Sequence, residues 1–355
     1  MTTTQLSAEA IALLKQLIET PSFSSEEDQT ALHIEQWFKT HGIAYQRHNH
    51  NVWATNLHFD DSKPTLLLNS HHDTVKPNNG YTKDPFKAIV EDGKLYGLGS
   101  NDAGGCLVSL LATFSYFYNT PHLKYNLVMV ASAEEESSGS NGLNSMLPII
   151  PHIDVAIVGE PTLMQLAIAE KGLVVFDAKV KGTPGHAAHP NANNAIYNVI
   201  NTLEWFKNYT FEKSSEALGD VKLTVTQINA GKQHNAIPAE VDLVIDVRVN
   251  DKYTNTEIRD ILQAEAPCDV LEPRSLNLNS SSIPKYHDLV KAGIAMGRST
   301  YGSPTLSDQS VLSCPSLKLG PGDSTRSHTA DEYIYLSEIE EGVALYIELL
   351  NRVLI

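Results

Sequence analysis

Leu66-Leu67-Leu68-Asn69-Ser70-His71-His72-Asp73 is the stretch that decides the fold. A short apolar run of this kind reads as a buried strand, and it stops at histidine and an acid. Gly97-Leu98-Gly99-Ser100-Asn101-Asp102 follows, then Gly104-Gly105 and a long apolar run. His71 and Asp102 therefore stand where strands or turns give way to loops. In an open α/β sheet, ligands bind outside the carboxyl ends of strands, so this stretch predicts half of a metal site. Two further apolar runs repeat the arrangement. Asn126 to Ala131 leads into Glu134-Glu135-Glu136, and Val155 to Val158 leads into Gly159-Glu160-Pro161. Three strands that each end at an acid or a histidine predict one site along one sheet edge.

Composition sets the outer bounds. A chain of 355 residues is long for a single core, which predicts two domains. Lys and Arg number 26 against 42 Asp and Glu, a formal charge of -16. That balance argues against nucleic acid or an anionic membrane as partner. Cys106, Cys268 and Cys314 are few, odd in number and far apart, so a reduced, cytoplasmic setting without disulfides is expected. No signal peptide is visible at the start of the sequence, and no apolar run approaches membrane-spanning length.

Outward from the opening stretch, the spacing predicts helices from about Ser7 to Glu19 and after Ser24, whose Glu27 has capping-box spacing. Cys106 to Tyr118 reads as a buried helix. Past Ala167 the pattern changes to alternation, in Val174-Phe176-Ala178-Val180, in Val221-Leu223-Val225 and in Val241-Leu243-Ile245-Val247-Val249. Such strands have one solvated face. Helices are expected at Asn194–Tyr209 and after Asn255, and a last strand at Cys268–Leu271. The order is β-α-β-β-α-β, the ferredoxin-like split arrangement. The expectation is an α/β protein with a mixed-sheet catalytic domain over 1–166 and 278–355, and an inserted domain over 167–277. Tyr286–Met296 and a terminal helix capped at Ser337, with Glu340 at capping-box spacing, return to the first domain. Between them, Ser316-Leu317-Lys318-Leu319-Gly320 leads to Pro321-Gly322 and His328.

Each chemical residue has an ordinary reading on its own. His71 and Asp73, two apart, share a face of an extended segment. Asp73 can then orient the imidazole while the other ring nitrogen binds a metal, yet such a pair is common in surface loops. Asp102 among Gly and Asn suits a turn. Glu134 to Glu136 alone would be a solvated loop, Glu160 an exposed turn and His328 a loop histidine. Behind apolar strands, crowded like charges call for a cation.

In order along the chain, His71-x-Asp73, Gly99-Ser100-Asn101-Asp102, Glu135-Glu136, Gly159-Glu160-Pro161-Thr162 and Gly320-Pro321-Gly322 with His328 resemble the dizinc amidohydrolase family. Acetylornithine deacetylase, succinyl-diaminopimelate desuccinylase, aminoacylase and carboxypeptidase G are among its members. Gly185-His186, Asn235-Ala236-Ile237-Pro238 and Asp246-Val247-Arg248 resemble that family's dimerisation domain. The likeness spans almost the whole chain. The Gly-Glu-Pro-Thr form and the short length look most like acetylornithine deacetylases.

The resemblance implies two zinc ions per subunit, with cobalt or manganese as substitutes. Asp102 would bridge them, His71 and Glu160 completing one and Glu136 and His328 the other. Glu135 would be the general base, and Asp73 would support His71. The family usually has Asp-Glu-Glu where this chain has Glu134-Glu135-Glu136, so a slip of one residue would move both assignments. His186 would reach the neighbouring subunit's site in a homodimer, with Asn235 beside it, and Arg248 would hold the substrate carboxylate. Lys171 and Arg326 are further candidates for reading the substrate. The implied activity is hydrolysis of a small N-acyl amino acid, of N-acetylornithine type, in arginine biosynthesis. Citrulline or succinylated relatives, succinyl-diaminopimelate, dipeptides and a non-catalytic metal-binding role are the rivals.

Overall fold

The structure, a computed structural model, describes residues 2–355. These form two compact units. The first runs to Ile168 and resumes over Ser282–Tyr301 and Ser307–Ile355; the second holds Ala169–Ser281 and Gly302–Leu306. The second unit thus starts two residues later than expected and ends four later, and it gains a short return segment. Packing explains both. Gly172 lies so close to Asn279 and Ser280 that a Cβ there would sit 2.5 Å from the Ser280 nitrogen, and Gly302 packs against Ala217.

In the first unit the strands Asn126–Ser132, Thr65–His71, Val155–Val158 and Ser316–Lys318 lie side by side and parallel. Asn51–Thr55 joins antiparallel beside Asn126–Ser132, with Gln46–His48 outside it, and the start of Leu166–Glu170 joins antiparallel beyond Ser316–Lys318. The sheet is therefore mixed. Its central strands are apolar on both faces because both faces are covered. Leu66, Leu68, Leu127 and Met129 pack with residues of the helices Thr3–Ile18, Gly105–Phe117 and Leu336–Leu354. Leu67, Val128, Val130 and Ala156 pack on the other side with Trp53, Leu143 and Met146. Each such leucine, fully buried, contributes about 1.5–3 kcal/mol. Parallel strands point their carboxyl ends the same way, so His71, Ala133–Glu136, Gly159–Glu160 and the loop after Lys318 emerge at one edge. A smaller sheet of Ile89–Glu91, Lys94–Tyr96 and Tyr333–Tyr335 flanks the turn that leads to Asp102.

The second unit carries an antiparallel sheet in the order Lys222–Ala230, Glu240–Val249, Gly172–Lys181, Val270–Pro273. With the helices Ala195–Asn208 and Asn255–Glu265 its sequence order is β-α-β-β-α-β. Val174, Phe176, Ala178 and Val180 alternate into its core against Val241, Leu243, Ile245 and Val247.

Helix starts differ from the spacing-based expectations. The first helix is capped by Thr2, not Ser7, and the helix Asn255–Glu265 by Thr254 with Glu257. The last begins at Leu336, where Glu338 accepts the Tyr335 N–H. Ser24 and Glu27 form no capping box before Asp28–Thr40. Ser24 donates to Asp73 and Glu27 accepts from Glu134, both across long stretches of chain. Capping motifs read only local spacing, and here distant acceptors and donors compete successfully for the same groups.

Candidate metal centre

His71 ends the central strand and is 1% exposed. Its Nδ1 lies 3.0 Å from the Asp73 carbonyl oxygen and 3.3 Å from the Asp73 carboxylate, so Nδ1 carries the proton and donates inward. That leaves Nε2 turned toward the cluster. It is buried with no hydrogen-bond partner, and it faces Asp102 Oδ1 at 3.5 Å, Glu135 Oε2 at 3.8 Å and Glu160 Oε1 at 3.8 Å. An imidazole nitrogen ringed by carboxylate oxygens calls for positive charge between them, either a proton on the ring or a bound cation.

The second histidine stands on the other side of the same aspartate. His328 Nε2 lies 3.6 Å from Asp102 Oδ2 and 3.0 Å from Glu136 Oε2. Asp102 therefore turns one oxygen to each histidine, the disposition of a bridging ligand. Donor atoms of His71, Asp102 and Glu136 fall within 4.8 Å of one another, as do those of His71, Glu135 and Glu160. Imidazole nitrogens with carboxylate oxygens form a donor set that suits zinc. These residues fit a pair of metal ions.

The electrostatics point the same way. Burial alone would lower the His71 pKa, but Glu135, Asp102 and Asp73 outweigh it and raise it well above the ordinary value. Burial, with Glu160, Asp308 and Glu136, pushes Glu135 well above the carboxylate range against the pull of His71. The hydrogen bond to Glu136 holds His328 up to about 9. Against the effect of burial, His71 holds Asp102 and Asp73 below the usual carboxylate range.

The register of the three acids is resolved by their partners. Glu134 turns away; its carboxylate accepts from Ser25 Oγ and from the backbone and side chain of Asn141. Glu135 and Glu136 face the histidines. Asp73 also holds their loop, since its two carboxylate oxygens accept the Glu135 and Glu136 N–H groups at 3.0 and 3.1 Å. His72 points elsewhere, to Thr30 and the His50 carbonyl. After Ser316–Lys318 the chain must pass close to Asn101: Gly322 has φ +87°, and a Cβ there would lie 2.5 Å from Asn101 Oδ1. That turn brings the chain round to His328.

Residues 67–352 match the model of peptidase family M20/M25/M40. The chain belongs to this family. It is 27% identical over 382 residues to succinyl-diaminopimelate desuccinylase of Rickettsia felis, covering 97% of this chain and 100% of that one. It is 29% identical over 377 residues to acetylornithine deacetylase of Shigella sonnei, covering 96% and 97%. Its fold is that of a dinuclear metal-binding peptidase of the M20 family from Bacillus subtilis, at 15% identity, TM-score 0.76 and 98% coverage of both chains. Family membership and the donor cluster make this M20/M25/M40 chain a metal-dependent amidohydrolase. No helix among the described residues is long and apolar enough to cross a membrane.

Of the remaining predicted residues of this family member, His186, Asn235, Arg248 and Lys171 belong to the second unit. His186 is exposed on a short ladder in which it pairs with Ala236, next to Asn235, whose carbonyl accepts the Ala187 N–H. His186 Nδ1 accepts the Ala188 N–H at 3.2 Å, so its proton sits on Nε2, facing outward as a donor. Arg248 is engaged by its neighbour Asp246 through Nε and Nη2 at 2.9 and 3.1 Å. Lys171 donates to the Asp220 carbonyl. In the first unit Arg326 is held in a fork with Glu338 at 2.7 and 3.0 Å.

Sequence spacing missed three acids around the centre. Glu27 is fully buried and accepts the Glu134 and Ser25 N–H groups. Asp308 accepts from Ser132 Oγ, and burial pushes it up to about 6 against that hydrogen bond. Glu332 is 1% exposed and accepts three N–H groups of the turn that carries Asp102. An acid just before Tyr333-Ile334-Tyr335 was its only signal.

Proposed function

We propose that the protein hydrolyses the amide bond of an N-acyl amino acid of the N-acetylornithine type, as a cytoplasmic homodimer with two zinc ions per subunit. The observation that carries the metal reading is His71 Nε2, buried without a partner against three carboxylates, with Asp102 turned toward both histidines. In this reading His71 and Glu160 would hold one ion and Glu136 and His328 the other, with Asp102 shared between them. A bound metal pair supplies positive charge that makes a water acidic near neutral pH and polarises the amide carbonyl.

The protein's own groups do the rest. Glu135, 3.8 Å from His71 Nε2, takes the proton of the attacking water on its carboxylate and passes it to the departing amine nitrogen. Asp73 keeps the His71 proton on Nδ1 and fixes the loop of Glu135, so base and ligand stay in register. His186 of the other copy donates Nε2–H to the oxyanion as it forms, an interaction that strengthens in the transition state. Asn235 adds a polar contact beside it, and Arg248 takes the substrate carboxylate through its outer edge.

The acetylornithine deacetylase relative supports the acetyl reading, and on that reading we propose a place in arginine biosynthesis. The desuccinylase relative, matched over its whole length, supports succinyl-diaminopimelate as a second reading. Comparing kcat/KM of the zinc-loaded protein for N-acetylornithine, N-acetylcitrulline, their N-succinyl counterparts, succinyl-diaminopimelate and a dipeptide set separates them. N-acetylornithine is expected to rank first. A first rank for succinyl-diaminopimelate replaces the substrate, and cleavage of dipeptides alone overturns the deacylase reading.

A further inference from the structure

The turn Gly99–Asp102 belongs to neither regular helix nor sheet. Gly99 has φ +75°, and Asp102 sits at φ -117°, ψ 99°. Its N–H groups therefore need acceptors from elsewhere. Glu332 provides them. One carboxylate oxygen accepts from Asn101 N at 2.8 Å and Asp102 N at 2.9 Å, and the other from Gly99 N at 3.2 Å. The Glu332 carbonyl oxygen also accepts Gly97 N–H at 3.0 Å, so main chain and side chain grip the same turn. Glu332 opens the strand Tyr333–Tyr335, which pairs with Lys94–Tyr96 just before that turn. It lies in the loop that follows His328. One residue thus spans the segments that bring Asp102 and His328 to within 3.6 Å of each other.

We propose that Glu332 is a positioning residue for metal binding: it clamps the backbone of Asp102 so that the two carboxylate oxygens point to separate ions. This rests on reading Asp102 as the bridging ligand. A merely structural acid would satisfy the loop and leave metal affinity alone. A clamp for Asp102 sets the angle of the bridge, and its loss is felt by the ions.

The test is a competition titration of metal-free protein with Zn2+ against a chromogenic chelator. It uses the native chain, Glu332→Gln, Asp102→Asn and the double variant, with melting curves of the metal-free forms alongside. The Gln side chain keeps one acceptor but turns an N–H group on at least one of the three donors. Glu332→Gln is expected to weaken Zn2+ binding by about 10–100-fold, the scale for groups that orient metal ligands. In the Asp102→Asn background the same change is expected to cost no more than about twofold, since the group it acts through is already gone. If Gln prevents folding, Glu332→Asp, which keeps the charge but shortens the reach, carries the same cycle. Native-like affinity in the Glu332 variant, or an equal loss in both backgrounds, overturns the proposal. A native chain that binds no Zn2+ overturns the reading of the centre itself, and the proposal with it.

Discussion

The strands Thr65–His71, Asn126–Ser132 and Val155–Val158 are buried at every residue, whereas Lys222–Ala230 at the edge of the second sheet is exposed or half-exposed along its length. The first arrangement is a parallel sheet covered on both faces. Its polar groups are driven to the ends of strands, and the carboxyl ends collect them at one edge. The second is an antiparallel sheet with one wet face and an open edge, which displays polar groups along its length. Dense, desolvated chemistry therefore belongs to the first unit, where His71 is buried among acids. The second unit offers exposed donors such as His186. One sheet type concentrates charge, and the other presents surface.

The largest effect that tests this contrast is on turnover. Glu135→Ala should keep both metal ions and lose about 10²–10⁴-fold in kcat, the usual range for a general base. Metal content read beside kcat checks it; retained turnover would remove Glu135 from the base role.

His186→Ala comes next, with an expected fall of about 10²–10³-fold in kcat, the scale of one oxyanion donor. Mixed dimers sharpen the point. A hybrid of one His186→Ala subunit and one Glu135→Ala subunit should recover about half the native activity per dimer if the histidine serves the other copy, because one of its two sites then has both groups. Activity that stays near zero places His186 in service of its own chain.

The smallest effects are on stability. Leu67→Ala, in the centre of the covered sheet, should cost about 2–5 kcal/mol in denaturant unfolding. Ile228→Ala, 53% exposed on the open edge, should stay within about 0.5 kcal/mol for the monomer. Equal losses at the two positions would contradict the contrast between the sheets.

What the sequence revealed follows the same division. His71, Asp102, Glu135, Glu136 and Glu160 each had an ordinary reading alone, and their meeting at one sheet edge was legible only from the repetition of an apolar strand or a glycine turn before each of them. The alternation of Val174 to Val180 and Val241 to Val249 announced the second sheet in the same way. Glu332, Asp308 and Glu27 were not legible, since each acts through partners far along the chain. Glu332 reaches back 230 residues to the Asp102 N–H. Ser24 shows the converse: its spacing to Glu27 suggested a cap, but the Asp73 carboxylate, 49 residues away, is its acceptor. Arg326, a candidate for reading the substrate, is paired with Glu338, a contact that spacing did not suggest.

The central claim is that the carboxyl edge of the parallel sheet holds two metal ions through His71, Asp102, Glu136, Glu160 and His328. Counting zinc per chain by elemental analysis, after saturation and removal of loose metal, tests it most directly. The native protein should retain two equivalents, and His71→Ala, which removes the buried Nε2 that faces three carboxylates, should retain at most one. A native chain without tightly held metal, or a His71→Ala chain that keeps both ions, would contradict the account.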